Sequence, residues 1–182
     1  DSSHVNNSNI EIPVPFKQIS KGVYKADKIE AYGTIGFAIN TYDQQDGAHN
    51  KNGIYKLEMF VNNSQVFKHE VETFSFNESK YINLLIDYPF YATHKRKYQK
   101  THIHPASKLS TYSSFHKKGF IQIKDSLNYK VVITATDFVG NSSSLTIPII
   151  GKKTPPIVVK KQNQTAYFIK KNKASFIKIQ NV

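Results

Sequence analysis

The sequence contains no cysteine and no tryptophan, a single methionine, and one arginine, Arg96, among its 25 basic residues. Each shortage excludes something. Without cysteine there are no disulfides, no thiolate metal sites and no cysteine nucleophile, while the redox compartment stays open. Without tryptophan and a cysteine pair, any kinship with antibody domains is architectural only. A lone arginine is a poor endowment for a specific nucleic-acid reader, because base edges and phosphates are best held by the guanidinium fork. No apolar run approaches the roughly 18–20 residues that span a bilayer as a helix. There is no nucleophile elbow, P-loop, dinucleotide fingerprint or HExxH.

What remains is ample for a fold. The chain of 182 residues has room for one ordinary domain or a domain with appended strands. Its 12 phenylalanines and 11 tyrosines supply core material, which excludes wholesale disorder. The net charge of +12 comes from lysines spread along the chain, clustered only at His94-Lys95-Arg96-Lys97, and reads as a solvated lysine-rich surface. A start at Asp1 rather than Met reads as a piece of a longer polypeptide.

Most segments carry strand chemistry. Ile10 to Val14 is a short β-prone piece, interrupted by Pro13 and stopped at Pro15. Lys28 to Asn40 alternates, with Gly33 and Gly36 as bend points. Gly53 to Val61 alternates too, and its Met59-Phe60-Val61 end suggests burial on both faces; Asn62-Asn63-Ser64 then turns it into Gln65 to Val71. Phe120 to Lys124 is a further strand. Tyr129 to Thr136 and Ser144 to Ile150 flank Asp137-Phe138-Val139-Gly140-Asn141 as a second hairpin. One stretch departs from this pattern: Tyr81, Leu84, Leu85 and Tyr88 recur at helical spacing, with Asn77 as N-cap and Pro89 as stop. Pro89 to Thr111 has no periodicity and reads as a long loop with one extended piece.

Gly151 to Pro156 reads as a linker. Beyond it, Ala166 to Lys170 and Ser175 to Ile179 form a hairpin that must dock on an edge or begin another β module, since two strands alone are marginal. The fold class expected is all-β: an immunoglobulin-like antiparallel β-sandwich with one short helical insertion. Residues 1–30 form an N-terminal extension with strands, 31–152 the sandwich, and 153–182 the linker and C-terminal hairpin.

Four constellations could carry chemistry. His102-Ile103-His104 would place two imidazoles on one strand face, as a zinc site needs, but no third ligand or general base follows in a recognisable spacing. Two exposed histidines in a basic segment is the plainer reading. Asp43, Asp46 and Asn50 form an oxygen-rich loop that lacks the alternation and closing glutamate of an EF-hand, and remain calcium candidates only. Tyr88, His94, Lys95, Arg96, Lys97 and Tyr98 form a candidate binding loop, because functional contacts concentrate on such segments. Asp137, Gly140 and Asn141 are assigned a structural role: the carboxylate accepts backbone N–H bonds across the turn, and the other two tolerate positive φ.

The order of segments is more informative than any one motif. YGTIGFAINTYDQQDGAHNKNGIYKLEMFVN is followed by FSFNESKYINLLIDY, then KYQKTHIHPASKLSTY, then GFIQIKDSLNYKVVITATDFVGN. From about Ala31 to Lys152 this resembles the region after the catalytic domain in lysostaphin-like (LytM-type) zinc endopeptidases of Gram-negative bacteria. The resemblance implies an exported accessory module in the periplasm or cell envelope. It further implies that zinc, held in the family by two histidines and an aspartate to cleave peptidoglycan cross-links, belongs to a catalytic domain outside this chain. His102-Ile103-His104 matches the family's H-x-H by letters only, inside the accessory region, so no catalytic residue and no cofactor is carried over. Partners implied are the peptidase domain of the same polypeptide, peptidoglycan or an envelope protein, with no specific nucleic acid. The alternative is an independent adhesin-like or glycan-binding sandwich, which coplanar exposed aromatics in the Tyr88–Tyr98 loop would favour.

Overall fold

The computed structural model describes residues 3–41, 43–44, 51–73, 75–153 and 176–181. The chain opens with β1 (His4–Val5), β2 (Ile12–Ser20), β3 (Val23–Ala26) and the long β4 (Ile29–Ile39). A small pair, β5 (Asp43–Gln44) and β6 (Lys51–Asn52), precedes the hairpin β7 (Lys56–Val61) and β8 (Ser64–Glu70). A 3-10 turn (Phe76–Tyr81) then leads through α1 (Ile82–Leu85) to α2 (Tyr88–His94). β9 (Gln99–Lys100), β10 (Tyr112–Phe115), a second 3-10 turn (Lys117–Gly119) and β11 (Ile121–Ile123) follow. The hairpin β12 (Asn128–Thr136) and β13 (Ser142–Gly151) comes next, and β14 (Phe176–Asn181) last. The protein is mostly β, as its many short alternating segments predict.

Twelve of these strands hydrogen-bond into one curled sheet. β4 is its seam, because different parts of it bond different partners. Ile29, Glu30 and Ala31 run parallel to the end of β13, Gly33 to Ile35 pair with β11, and Ile35 to Ile39 pair with β14. β2 divides in the same way, its first half against β14 and its second against β3. β3 in turn lies parallel to β13. The ladder β4–β14–β2–β3–β13 therefore returns to β4. A strand that changes partner midway bends the sheet over its own core, as at the corners of packed sheets. Gly33 permits this in β4. Its φ is +81°, and a Cβ there would lie 2.8 Å from the Cα of Ser3.

The core follows the alternation. Leu57 and Met59 of β7, Ile133 of β12, Ile147 of β13 and Ile35 and Phe37 of β4 are all buried. Each such side chain contributes about 1.5–3 kcal/mol of apolar burial. Phe60 and Val61 are only half-buried, so the two-faced burial expected at that end of β7 stops at Met59. The Asn62–Asn63 turn has φ of 48° and 69°, the left-handed pair that a tight hairpin requires.

Several expectations are corrected. β2 does not stop at Pro15 but runs through both prolines to Ser20. Pro13 and Pro15 lie where β14 pairs one edge of β2, before pairing with β3 begins at Phe16, so each has an open ladder edge to face. The pairing is not wholly antiparallel, since β13 runs parallel to both β3 and β4. The single helix expected from Asn77 to a stop at Pro89 is broken in two. Ser75, not Asn77, is the N-cap, accepting from the Asn77 N–H. The 81/84/85 stripe is half-buried as its spacing predicts, but Ile86 turns extended and bridges Gln99, and the Asp87 N–H donates to the Tyr98 carbonyl at 2.9 Å. Strand-type bonds win there over a further helical turn. Pro89 then sits in the first turn of α2, where its missing N–H costs nothing. Pro89 to Thr111 is thus not one long loop: it holds α2, β9 and the buried Tyr98, Thr101, His102, Ile103, Leu109 and Thr111.

The spans 1–30, 31–152 and 153–182 all contribute strands to the one sheet. β14 lies between β4 and β2 rather than at an edge. Ala166 to Lys170, the other arm of the expected hairpin, lies outside the described residues. Among the described residues, no helix is long and apolar enough to cross a membrane.

Candidate functional site

The candidate binding loop is built on α2. Asp87 caps its start, one carboxylate oxygen accepting from the Phe90 N–H at 3.3 Å. Lys95, with φ of 56°, ends it in the left-handed conformation, its N–H donating to the Tyr91 carbonyl at 2.9 Å. These two caps aim the segment. The Lys95 Nζ stands 5.9 Å and the Lys97 Nζ 5.6 Å from the Tyr91 ring centre, so one tyrosine is flanked by two ammonium groups in cation–π range. Lys95, Arg96 and Lys97 are exposed, as is Tyr88. Phe90 stacks on His94 at 4.1 Å and meets Tyr98 edge-on at 5.2 Å. Tyr98 is buried and anchors the segment instead of facing solvent. Exposed Tyr88 and half-buried Tyr91 are inclined at 52°, so the two rings are not coplanar. Just before this knoll, Phe76 is 95% exposed on the 3-10 turn that Glu78 ties to Ser110 through two bonds of 2.9 Å.

His102 and His104 part company. His102 is buried, its ring 4.5 Å from that of Phe120 and packed against Gly36. His104 is exposed, and its Nδ1 accepts from the Ala106 N–H at 3.1 Å. Neither lies on a strand, so the same-face geometry that spacing i, i+2 would give does not arise. The plainer reading, two exposed histidines, is corrected at His102. Among the described residues, no three His, Cys, Asp or Glu side chains converge on a common point for a metal ion. Asp43 stands on β5, paired with Asn52, while Asp46 and Asn50 lie outside the described residues.

Asp137 closes the β12–β13 turn. Its carboxylate takes the Asn141 side-chain amide and the Asn141 backbone N–H, both at 2.8 Å. The Asn141 amide above all, helped by backbone N–H groups of the turn, holds this carboxyl below the usual carboxylate range. Gly140 has the expected positive φ, 95°, whereas Asn141 does not and serves through its amide.

Two features escaped the sequence. One is His69, buried beside Tyr112 with ring centres 5.4 Å apart, which desolvation pushes down to a pKa of about 4. The other is a cleft of about 280 Å3 where the curled sheet opens, between the end of β4 and strands β2, β3, β12 and β13. Phe16 and Tyr24 wall it, Ile133 and Leu145 floor it, and Thr41 and Ser143 stand at its rim. The alternation of Phe16 with its neighbours and the Ser142-Ser143-Ser144 run are its traces in the sequence, but neither says that they meet. No protein-family model, curated protein or solved structure matches this chain.

Proposed function

We propose that this chain is the non-catalytic accessory module of an exported, peptidoglycan-cleaving zinc endopeptidase of the lysostaphin-like type, holding the peptidase domain of the same polypeptide against the cell wall. The finer fold that goes with this reading is an immunoglobulin-like sandwich with a helical insertion, and its place is the periplasm or cell envelope. The observation that carries it is Tyr91 between Lys95 and Lys97 on the capped α2 knoll. A tyrosine ring packs on the C–H face of a sugar, and the two ammonium groups suit the carboxylates of wall peptides. The segment order supports it, since the family-like pieces FNESKYINLLIDY and TDFVGN fall on the helical insertion and on the Asp137 turn. The reading assigns no acid, base or metal ligand to this chain; the hydrolysis, zinc included, belongs to the peptidase domain.

Sedimentation with purified, insoluble peptidoglycan tests it. The chain is expected to pellet with sacculi and to stay in the supernatant when Tyr91, Lys95 and Lys97 are all replaced by alanine. A wild-type chain that does not pellet would overturn the reading. A second reading, an independent adhesin-like or glycan-binding module, is favoured by the cleft beside Tyr24. Immobilised chain that captures the peptidase domain supports the first reading, and failure to capture it the second.

A further inference from the structure

The geometry points to the cleft at the open end of the curled sheet as a binding site for a neutral sugar, one or two N-acetylated rings at the end of a glycan. Charge is the first argument. The protein carries a net charge of +12, yet none of the described residues that line the cleft has a charged side chain. A charged ligand seated there would be desolvated without a partner, which is costly, so the occupant is neutral.

Polarity is the second argument. The wall is aromatic, Phe16 meeting Tyr24 edge-on with ring centres 5.6 Å apart. The floor is aliphatic, Ile133 and Leu145 being 1% and 3% exposed. The rim is hydroxylic, and the side-chain oxygens of Thr41 and Ser143 take no hydrogen bond from another described residue. Hydroxyls both donate and accept, as sugar hydroxyls do. Apolar faces with a hydroxylated edge are the pattern of a pyranose ring, and an acetamido methyl suits the aliphatic floor. Asn40 stands at the same rim, its side-chain amide fixed by donation to the Lys97 carbonyl at 2.7 Å.

Size and position are the third. The cleft of about 280 Å3 adjoins a smaller one of about 130 Å3 over the Asp137 turn, the two sharing Thr41, Ala135 and Ser143. That is the small end of the roughly 300–1,000 Å3 typical of ligand pockets, and the mouth of a closed β ladder is a common place for one. A short glycan end fits where a long polymer would not. The choice of sugar rests on the cell-wall reading above; the cleft itself does not.

Titration of the isotope-labelled chain with soluble N,N′-diacetylchitobiose, followed by NMR, tests the site. Shifts are expected at Phe16, Tyr24, Thr41 and Ser143, with a Kd on the order of 1 mM. Ser143→Glu, at an exposed position, and Tyr24→Ala should each weaken binding at least about tenfold, the equivalent of about 1.4 kcal/mol, in variants whose NMR spectra away from the cleft match the wild type. Phe76→Ala, at an exposed residue outside the cleft lining, should leave it unchanged. No shifts up to about 10 mM sugar, shifts confined to other residues, or unaltered affinity in Ser143→Glu would overturn the inference. The two readings fail separately. Pelleting with sacculi without chitobiose binding removes the cleft and keeps the Tyr91 knoll, while the reverse removes the wall module and keeps the sugar site.

Discussion

Asn141 grips both carboxylate oxygens of Asp137, its backbone N–H on one and its side-chain amide on the other, each at 2.8 Å. The turn that joins β12 to β13, the longest pairing among the described strands, is thereby closed by side chain as well as backbone, with the Asp137 N–H donating to the Asn141 carbonyl at 3.0 Å.

Asp137→Ala is accordingly expected to lower the melting temperature by a few degrees near neutral pH. The folded carboxyl lies below its ordinary range, so its contribution is present above the unfolded carboxylate pKa and fades as pH falls through the folded value. The gap between wild type and variant should therefore narrow under acid. Equal melting curves at neutral pH would show that the turn does not depend on this carboxylate.

His69 makes acid costly to the fold. Desolvation depresses its pKa from 6.5 to about 4, so between those values the unfolded chain takes up a proton that the folded chain refuses. Stability should fall by about 1.4 kcal/mol per pH unit across that window, roughly 3 kcal/mol in all. Urea denaturation of wild type and His69→Gln at several pH values between 7 and 4 checks the slope, whatever the variant's absolute stability. A slope unaffected by the substitution would contradict the assignment.

Gly33 and Gly53 offer a paired control. Alanine at Gly33 must adopt φ near +81° and meet the backbone of Ser3, where β4 changes partner. A loss of about 2 kcal/mol or more follows from the left-handed conformation and the clash together. Alanine at Gly53 meets no described residue within 4 Å and should change stability little. Similar chemical denaturation midpoints for the two variants would refute this account of the seam.

Zinc is expected to bind more weakly than about 1 μM. His102 is enclosed against Phe120, and the Nδ1 of His104 already accepts from Ala106. Calorimetry showing tighter binding, abolished by His104→Ala, would reverse the reading of both histidines.

How much of this was legible in the sequence depends on the range of the interaction. The hairpins β7–β8 and β12–β13 were visible because Asn62-Asn63 and Asp137 to Asn141 carry the turn chemistry between alternating strands. The stripe of Tyr81, Leu84 and Leu85 was visible because helical spacing is local. The break at Ile86 was not, because it depends on bonds to Gln99 and Tyr98 that lie beyond the helix. The candidate residues around α2 were found from their types, but that Tyr98 is an anchor while Tyr91 is flanked by lysines is a matter of packing.

By itself, the sequence determined that the chain is β-rich, that its core is built from alternating aliphatic and phenylalanine positions, and where its tight turns lie. Only the tertiary structure decided that β2 runs through two prolines, that β4 and β2 each serve two sets of neighbours, and that β14 enters between them. The same closure brings Phe16, Tyr24, Thr41 and Ser143 to one cleft. The reason is physical. Alternation specifies which face of a strand is buried but not which strand lies beside it, and partners far apart in the chain are selected by the summed packing of the whole sheet.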